Sequence, residues 1–343
     1  MITIRSRGWS LRAACVAMGL LLSSAHASAA VLKIATLSPD GSSWMRVMRA
    51  AATDIETQTA GRVVFKFYPG GVMGSDDAVL RKIRIGQLQG GAMGGGALVG
   101  AYPDAQVYNL PMKFHSFEEV DYVRQRMDEK IIAGYEQGGF VTFGLAEGGF
   151  AYIMSKSPIS TMDDLQARKV WVPSSDPGTL LSVKAFGVNP IPLTLSDVLA
   201  GLQTGLVDTV ATSPIGAIAL QWHTQVKYMT DAPVMYFYAV LAIDKKVFQR
   251  LSKDDQAIVT QRMTRAFHDI DKQNRSDNVG AYDALLKQGI QLVPVTDEQR
   301  KVWYDKARIA EINLANEGIV SRPALGELNG YLREVRTLPA ETR

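Results

Sequence analysis

The residue types best suited to bind a metal or move a proton are sparse in this chain. Four histidines occur, at 26, 115, 223 and 268, and none is paired at a metal-ligand interval. No His-Glu-x-x-His signature is present. A glycine run, Gly90-Gly91-Ala92-Met93-Gly94-Gly95-Gly96, has the composition of a phosphate cradle. It lacks Gly-Lys-Ser/Thr, and Val99 stands where the last glycine of Gly-x-Gly-x-x-Gly would fall. The run reads instead as a strand end whose backbone passes close to a neighbour or a ligand. Gly74-Ser75-Asp76 lacks the flanking arrangement of a nucleophile elbow. The acid pairs Asp163-Asp164 and Asp254-Asp255 read as helix-start residues favoured by the helix dipole. No nucleophile-base pair can be named, so no enzyme, cofactor or metal is expected.

The elements that would position a binding site form an α/β pattern. At 343 residues the chain suits two lobes rather than one core. Strand Val31–Leu37, helix Trp44–Thr57, strand Arg62–Tyr68 and a helix opened by Ser75-Asp76-Asp77 alternate as β-α-β-α, the pattern of a mostly parallel sheet. Helices run from Ser116 to Met127 and onward to Gln137, and short strands fall at Phe140–Phe143 and Tyr152–Ser155. Val170-Trp171-Val172 is a buried strand, a helix spans Gly178–Phe186, and Tyr236–Ile243 is a near-continuous apolar strand covered on both faces. A long helix from Ser252 to about Lys287 carries Ile258, Met263, Phe267 and Ile270 on one face and is long enough to cross both lobes. Helices Asp297–Glu317 and Pro323–Val335 finish the chain. Crossings between the lobes are expected at Gly148-Gly149 and at Pro233–Tyr238, where glycines can absorb a hinge motion. The first lobe then comprises residues 30–148 with about 237–276. The second comprises 149–236 with about 277–343, including the C-terminal helices.

Residues 1–29 have a different character. Arg5, Arg7 and Arg12 precede an apolar run from Ala13 to Leu22, and Ala27-Ser28-Ala29 supplies a small-residue cleavage site. This is the pattern of a signal peptide cut near Ala29/Ala30, which implies export to the periplasm. The apolar run is too short to span a bilayer. The one cysteine, Cys15, lies in this leader, so no disulfide is expected. The net charge of +3 also belongs to it: without its three arginines, Lys and Arg fall from 37 to 34 and equal the 34 acids. The charge balance therefore gives no reason to expect nucleic acid or an anionic membrane as partner.

Several motifs in order carry a family resemblance. They are Leu32-Lys33-Ile34-Ala35-Thr36, Thr59-Ala60-Gly61-Arg62-Val63, Tyr68-Pro69-Gly70-Gly71-Val72-Met73-Gly74 and Leu110-Pro111-Met112-Lys113-Phe114. Pro158-Ile159-Ser160-Thr161-Met162-Asp163-Asp164-Leu165, Lys169-Val170-Trp171-Val172-Pro173 and Ser196-Asp197-Val198…Leu202-Gln203-Thr204-Gly205-Leu206-Val207-Asp208 follow. Over nearly the whole chain beyond the leader, the sequence resembles the dicarboxylate-receptor (DctP) family, the solute-binding proteins of tripartite ATP-independent periplasmic (TRAP) transporters. The resemblance implies a two-lobe α/β periplasmic binding protein with a hinge and a long lobe-bridging helix. It also implies a ligand held between the lobes and delivery to integral-membrane transporter subunits or another envelope transport component. We expect a monomer.

Most members are implied to grip a carboxylate with two arginines and an asparagine. This chain departs at all three positions. Ala151, or Phe150 with a one-residue shift, stands at the first arginine, Trp171 at the second, and Thr212 at the asparagine. Leu37 and Gly94 stand where relatives place polar or acidic residues, and Asp76 is the main polar survivor. A buried carboxylate needs paired donors in return for its lost hydration. Trp171 offers an apolar face and one N–H, and Phe150, Tyr152, Leu195 and Tyr236 extend the same wall, with Trp44 beside it. An uncharged or apolar ligand is therefore expected, lipid-like and sterol-like molecules included. Two alternatives stand beside this reading. One is a small organic acid held by Arg81 or Arg84; the other is a scaffold that binds no ligand.

Overall fold

The computed structural model describes residues 29–339. Residues 1–28, nearly all of the expected leader with Cys15 and His26, lie outside the described residues. The chain opens with β1 (Ala30–Thr36), α1 (Ser43–Gln58), β2 (Val63–Tyr68), α2 (Asp76–Arg84) and β3 (Gly90–Gly94). A serine sets each helix start by accepting a backbone N–H three residues on: Ser42 from Met45 and Ser75 from Ala78. β1 pairs in parallel with both β2 and β3, as the alternation of elements requires.

Two 3-10 turns, Gly95–Leu98 and Pro103–Asn109, lead to α3 (Phe117–Gln137). The break expected near Met127 is absent: α3 is one helix of 21 residues. Neither Gly nor Pro interrupts it there, and Arg124 pairs with Asp128 at 3.0 Å across the junction. Then come β4 (Phe140–Val141), β5 (Ala146–Ser155), α4 (Met162–Gln166), β6 (Trp171–Pro173), α5 (Pro177–Ala185), β7 (Ile191–Leu193), α6 (Val198–Thr204), β8 (Thr209–Thr212) and α7 (Pro214–Ala219). The chain continues through β9 (Tyr228–Asp244), α8 (Lys245–Phe248), α9 (Lys253–Lys287), β10 (Gln291–Val293), α10 (Asp297–Asn316) and α11 (Arg322–Thr337).

The main sheet has the order β2-β1-β3-β9-β5-β8, with β4 and β10 on opposite ends of β9. β9 is 17 residues long and serves both lobes. Its end pairs with β3 and its start with β10, while β5 runs antiparallel beside it. Pro233 is tolerated within it because the β5–β9 ladder shifts register on both sides of Tyr152, the residue opposite Pro233. β5 passes straight through Gly148-Gly149, where the ladder also shifts and Gly149 adopts φ +94°, a region that favours glycine. The two lobe crossings are thus neighbouring strands of one sheet. In the second lobe a small parallel pair, β6–β7, is tied to β8 by a bridge between Val170 and Thr209.

Helix α9 joins the lobes. Its Val259, Met263 and Phe267 pack with Met45, Met48 and Ile55 of α1, and its Leu285 packs with Leu202 and Trp222 of the second lobe. Its 35 residues span about 50 Å. The C-terminal helices do not both sit on the second lobe. Trp303, Ala307 and Ala310 of α10 pack there with Leu165 and Phe186. Leu325, Leu328 and Leu332 of α11 pack instead on Val120, Val123 and Met127 of α3, in the first lobe. The apolar stripe of α11 is complementary to α3, which the sequence could not show.

Candidate functional site

A cavity of about 480 Å³ lies between the lobes. Its first-lobe side is made by the carboxyl ends of β1 and β3 and the starts of α1 and α2, through Leu37, Gly94, Trp44 and Asp76. Ligands of open α/β sheets gather at such strand ends, because the loops there are free to vary. On the second-lobe side Trp171 of β6, Leu195 beyond β7 and Thr212 of β8 face it, and Phe237 and Tyr238 of the crossing strand β9 complete the lining. The cavity continues into the second lobe among Ile153, Val170, Phe186 and Trp303.

Seven of the residues expected from sequence therefore meet here: Leu37, Trp44, Asp76, Gly94, Trp171, Leu195 and Thr212. Phe150, Ala151, Tyr152 and Tyr236 do not line the cavity. Phe150 packs on Phe117 and on Tyr236, with ring centroids 4.9 and 5.8 Å apart. The Tyr236 hydroxyl accepts from Arg124 at 3.2 Å and donates to Glu147 at 3.4 Å. Tyr152 packs edge-on against Tyr282, and Ala151 is fully buried opposite Met235. The register shifts in the β5–β9 ladder change which face each side chain takes along this stretch.

The lining is poor in charge. None of its residues is Lys, Arg or His, and its two carboxylates are Asp76 and Asp176. Arg81 and Arg84 line a separate surface groove with Lys82 and Gln87. Burial, with a smaller contribution from Asp77, pushes the Asp76 carboxyl up to about 7. Trp171 stacks edge-on against Trp222 at 5.1 Å, and its N–H is already donated to Leu193 O at 3.1 Å. Its expected role as a donor is thus replaced by a purely apolar one. The Trp44 N–H is likewise spent, on Asn274 Oδ1 at 2.6 Å. Among the described residues no cluster of His, Cys, Asp and Glu has the arrangement of a metal site.

Behind the cavity, α9 grips the crossing. Asn274 Nδ2 donates to Glu147 O at 2.5 Å, while Asn278 Nδ2 donates to Gly148 O at 3.3 Å and Asn278 Oδ1 accepts from Ile215 N at 3.2 Å. One helical turn thus ties Trp44 of the first lobe, the glycine pair and α7 of the second. The buried Glu147 carboxylate accepts from Arg275 at 3.1 and 2.6 Å, and Arg275 also makes a two-pronged contact with Asp121 of α3 at 2.9 and 2.8 Å.

Sequence reasoning missed Asn109, Asp176, Phe237 and Trp303 as lining residues. Phe237 is one residue from Tyr236, a phase error along β9. Asp176 is the N-cap of α5, accepting from Thr179 N at 2.9 Å, and nothing local in the sequence tells which lobe it faces. Trp303 lies on α10, far along the chain, with no local signal at all.

A family model, bacterial extracellular solute-binding protein, family 7, matches residues 34–311. The chain is 23% identical over 257 residues to the 2,3-diketo-L-gulonate-binding periplasmic protein YiaO of Escherichia coli, covering 73% of this chain and 76% of that one. It is 23% identical over 304 residues to the ectoine/5-hydroxyectoine-binding periplasmic protein UehA of Ruegeria pomeroyi, covering 84% and 89%. Its fold matches the crystal structure of a TRAP periplasmic solute binding protein from Haemophilus influenzae with bound L-gulonate. That match has a TM-score of 0.81 at 18% identity, over 88% of this chain and 99% of the other.

Proposed function

This chain belongs to the bacterial extracellular solute-binding proteins of family 7, the periplasmic receptors of TRAP transporters, and on that premise we propose that its ligand is uncharged and largely apolar. A receptor of this kind is not an enzyme; it takes up a small molecule and delivers it to a membrane transporter. The observation that carries the ligand class is the absence of Lys, Arg and His from the cavity lining. A sugar acid such as L-gulonate would bring its carboxylate into a cavity whose charged side chains are Asp76 and Asp176. An unpaired buried carboxylate costs several kcal/mol. Micromolar affinity corresponds to only about 8 kcal/mol, so that loss is decisive. Leu37, Trp44, Gly94, Trp171, Leu195 and Thr212 are the contacts we assign, with apolar faces serving an apolar body. Lipid-like and sterol-like molecules belong to this class. The first lobe takes residues 30–148, about 237–276 and α11, and the second takes 149–236 and about 277–296 with α10.

Native mass spectrometry of the protein purified from its own periplasm tests this reading. An adduct that extracts into organic solvent and carries no carboxylate is expected. A bound organic acid would contradict it.

A further inference from the structure

Four buried side-chain atoms have no hydrogen-bond partner among the described residues: Asn109 Oδ1, Thr142 Oγ1, Arg262 Nε and Trp303 Nε1. Buried polar atoms are seldom left so, and each exception calls for a cause. Asn109 and Trp303 both line the interlobe cavity, one from each lobe.

The orientation of the Asn109 amide is dictated from the other lobe. Asp176, the N-cap of α5, accepts from Thr179 N at 2.9 Å and from Thr179 Oγ1 at 2.8 Å. Its Oδ1 also accepts from Gln106 Nε2 of the first lobe, at 2.9 Å. A carboxylate can only accept, so Gln106 must turn its NH₂ toward Asp176 and its oxygen away. That oxygen, Oε1, accepts from Asn109 Nδ2 at 3.1 Å. Asn109 in turn has its NH₂ engaged, and its Oδ1 is the end left over. One carboxylate in the second lobe thus fixes the polarity of two amides in the first. Asp176 and Gln106 can meet only when the lobes are together.

We propose that Asp176, Gln106 and Asn109 form a relay, assembled by lobe closure, that sets Asn109 Oδ1 to accept a hydrogen bond from a neutral O–H or N–H on the ligand. The ligand is then an apolar body bearing a hydroxyl or an equivalent donor. This rests on the uncharged-ligand reading above and narrows it. The unpaired Trp303 N–H, on the second-lobe side, offers a partner to an oxygen of the same molecule.

The test is a tryptophan-fluorescence titration of the whole protein with matched pairs of alcohols and their methyl ethers: 1-decanol, menthol and 4-butylphenol against the capped forms. The best-fitting alcohol should bind about tenfold more tightly than its ether, the worth of one hydrogen bond to a buried acceptor. Asp176→Ala removes the oxygen that both caps α5 and turns the Gln106 amide, which frees both amides to reverse. The alcohol preference should then fall to about one or invert in favour of the ether. Asn109→Leu should also abolish the preference while ether binding persists. Because the readout is a ratio within one variant, a general loss of folding cannot imitate it. Equal binding of alcohol and ether by the parent protein, or an unchanged ratio in Asp176→Ala, overturns the relay and leaves the uncharged-ligand reading standing. Failure of every pair to bind, with carboxylates bound instead, overturns that reading and the relay with it.

Discussion

Gly96 and Asp176 approach so closely across the lobe interface that a Cβ on Gly96 would lie 2.2 Å from Asp176 Oδ2. The carboxylate cannot swing aside without giving up Thr179 and Gln106. Gly96→Ala should therefore leave each lobe folded but oppose their closure. Overpacking of this kind costs about 1–3 kcal/mol, so ligand affinity should fall about 5- to 150-fold. Small-angle scattering checks the cause: at a ligand concentration that compacts the parent, the variant should keep its open radius of gyration.

Gly94 gives the opposite case. A Cβ there meets nothing within 4 Å, and the residue has ordinary extended backbone angles at the cavity wall. Gly94→Trp should fill space that belongs to the ligand, not to the protein. Unfolding free energy should stay within about 0.5 kcal/mol of the parent, as for a tolerated surface change. Affinity should drop at least a hundredfold by calorimetry. A variant that binds as well as the parent would place the ligand elsewhere.

The raised Asp76 carboxyl predicts a pH dependence of definite sign. At about 7 against an ordinary 3.8, the folded protein holds this proton where the unfolded chain has lost it. Its contribution to stability is full below about 4, declines as pH rises from about 4 to 7, and stays low above that. The melting temperature of the parent should thus fall across that window relative to that of Asp76→Asn. Parallel pH profiles of the two proteins would refute the shift.

Asn274 is central to the hinge. Asn274→Leu would leave the Trp44 N–H and the Glu147 carbonyl, at 2.6 and 2.5 Å in the intact protein, without partners. One buried and one partly buried orphan should destabilise the fold by about 2–4 kcal/mol. Urea denaturation measures this directly, and a loss below about 1 kcal/mol would mean that water replaces the amide.

The frame of this protein was legible because its signals are local. Serines at 42, 75, 116 and 252 cap the helices they precede, and alternation of elements gives the parallel strands of the first lobe. Leu37, Asp76 and Gly94 were found through the family resemblance, and Trp44 because it begins a helix beside the cleft. The far wall was harder. Phe150 and Tyr236 pack away from the cavity, on a ladder whose register shifts three times between Glu147 and Met154 and which no local sequence signal marks. Gln106 and Asp176 are 70 residues apart in sequence, and no period or spacing relates them. The missing arginines at Ala151 and Trp171, with Thr212 in place of the asparagine, pointed to a cavity without cations, and of those three residues Trp171 and Thr212 line it.

The central claim is that this cavity serves an uncharged, apolar ligand. Its most direct test is a calorimetric titration of the purified protein with small carboxylates and with uncharged apolar compounds, repeated on Trp171→Ala. Micromolar binding of an apolar compound, weakened by Trp171→Ala, with no heat from the carboxylates, is the predicted result. Micromolar binding of a carboxylate, untouched by Trp171→Ala, would contradict it.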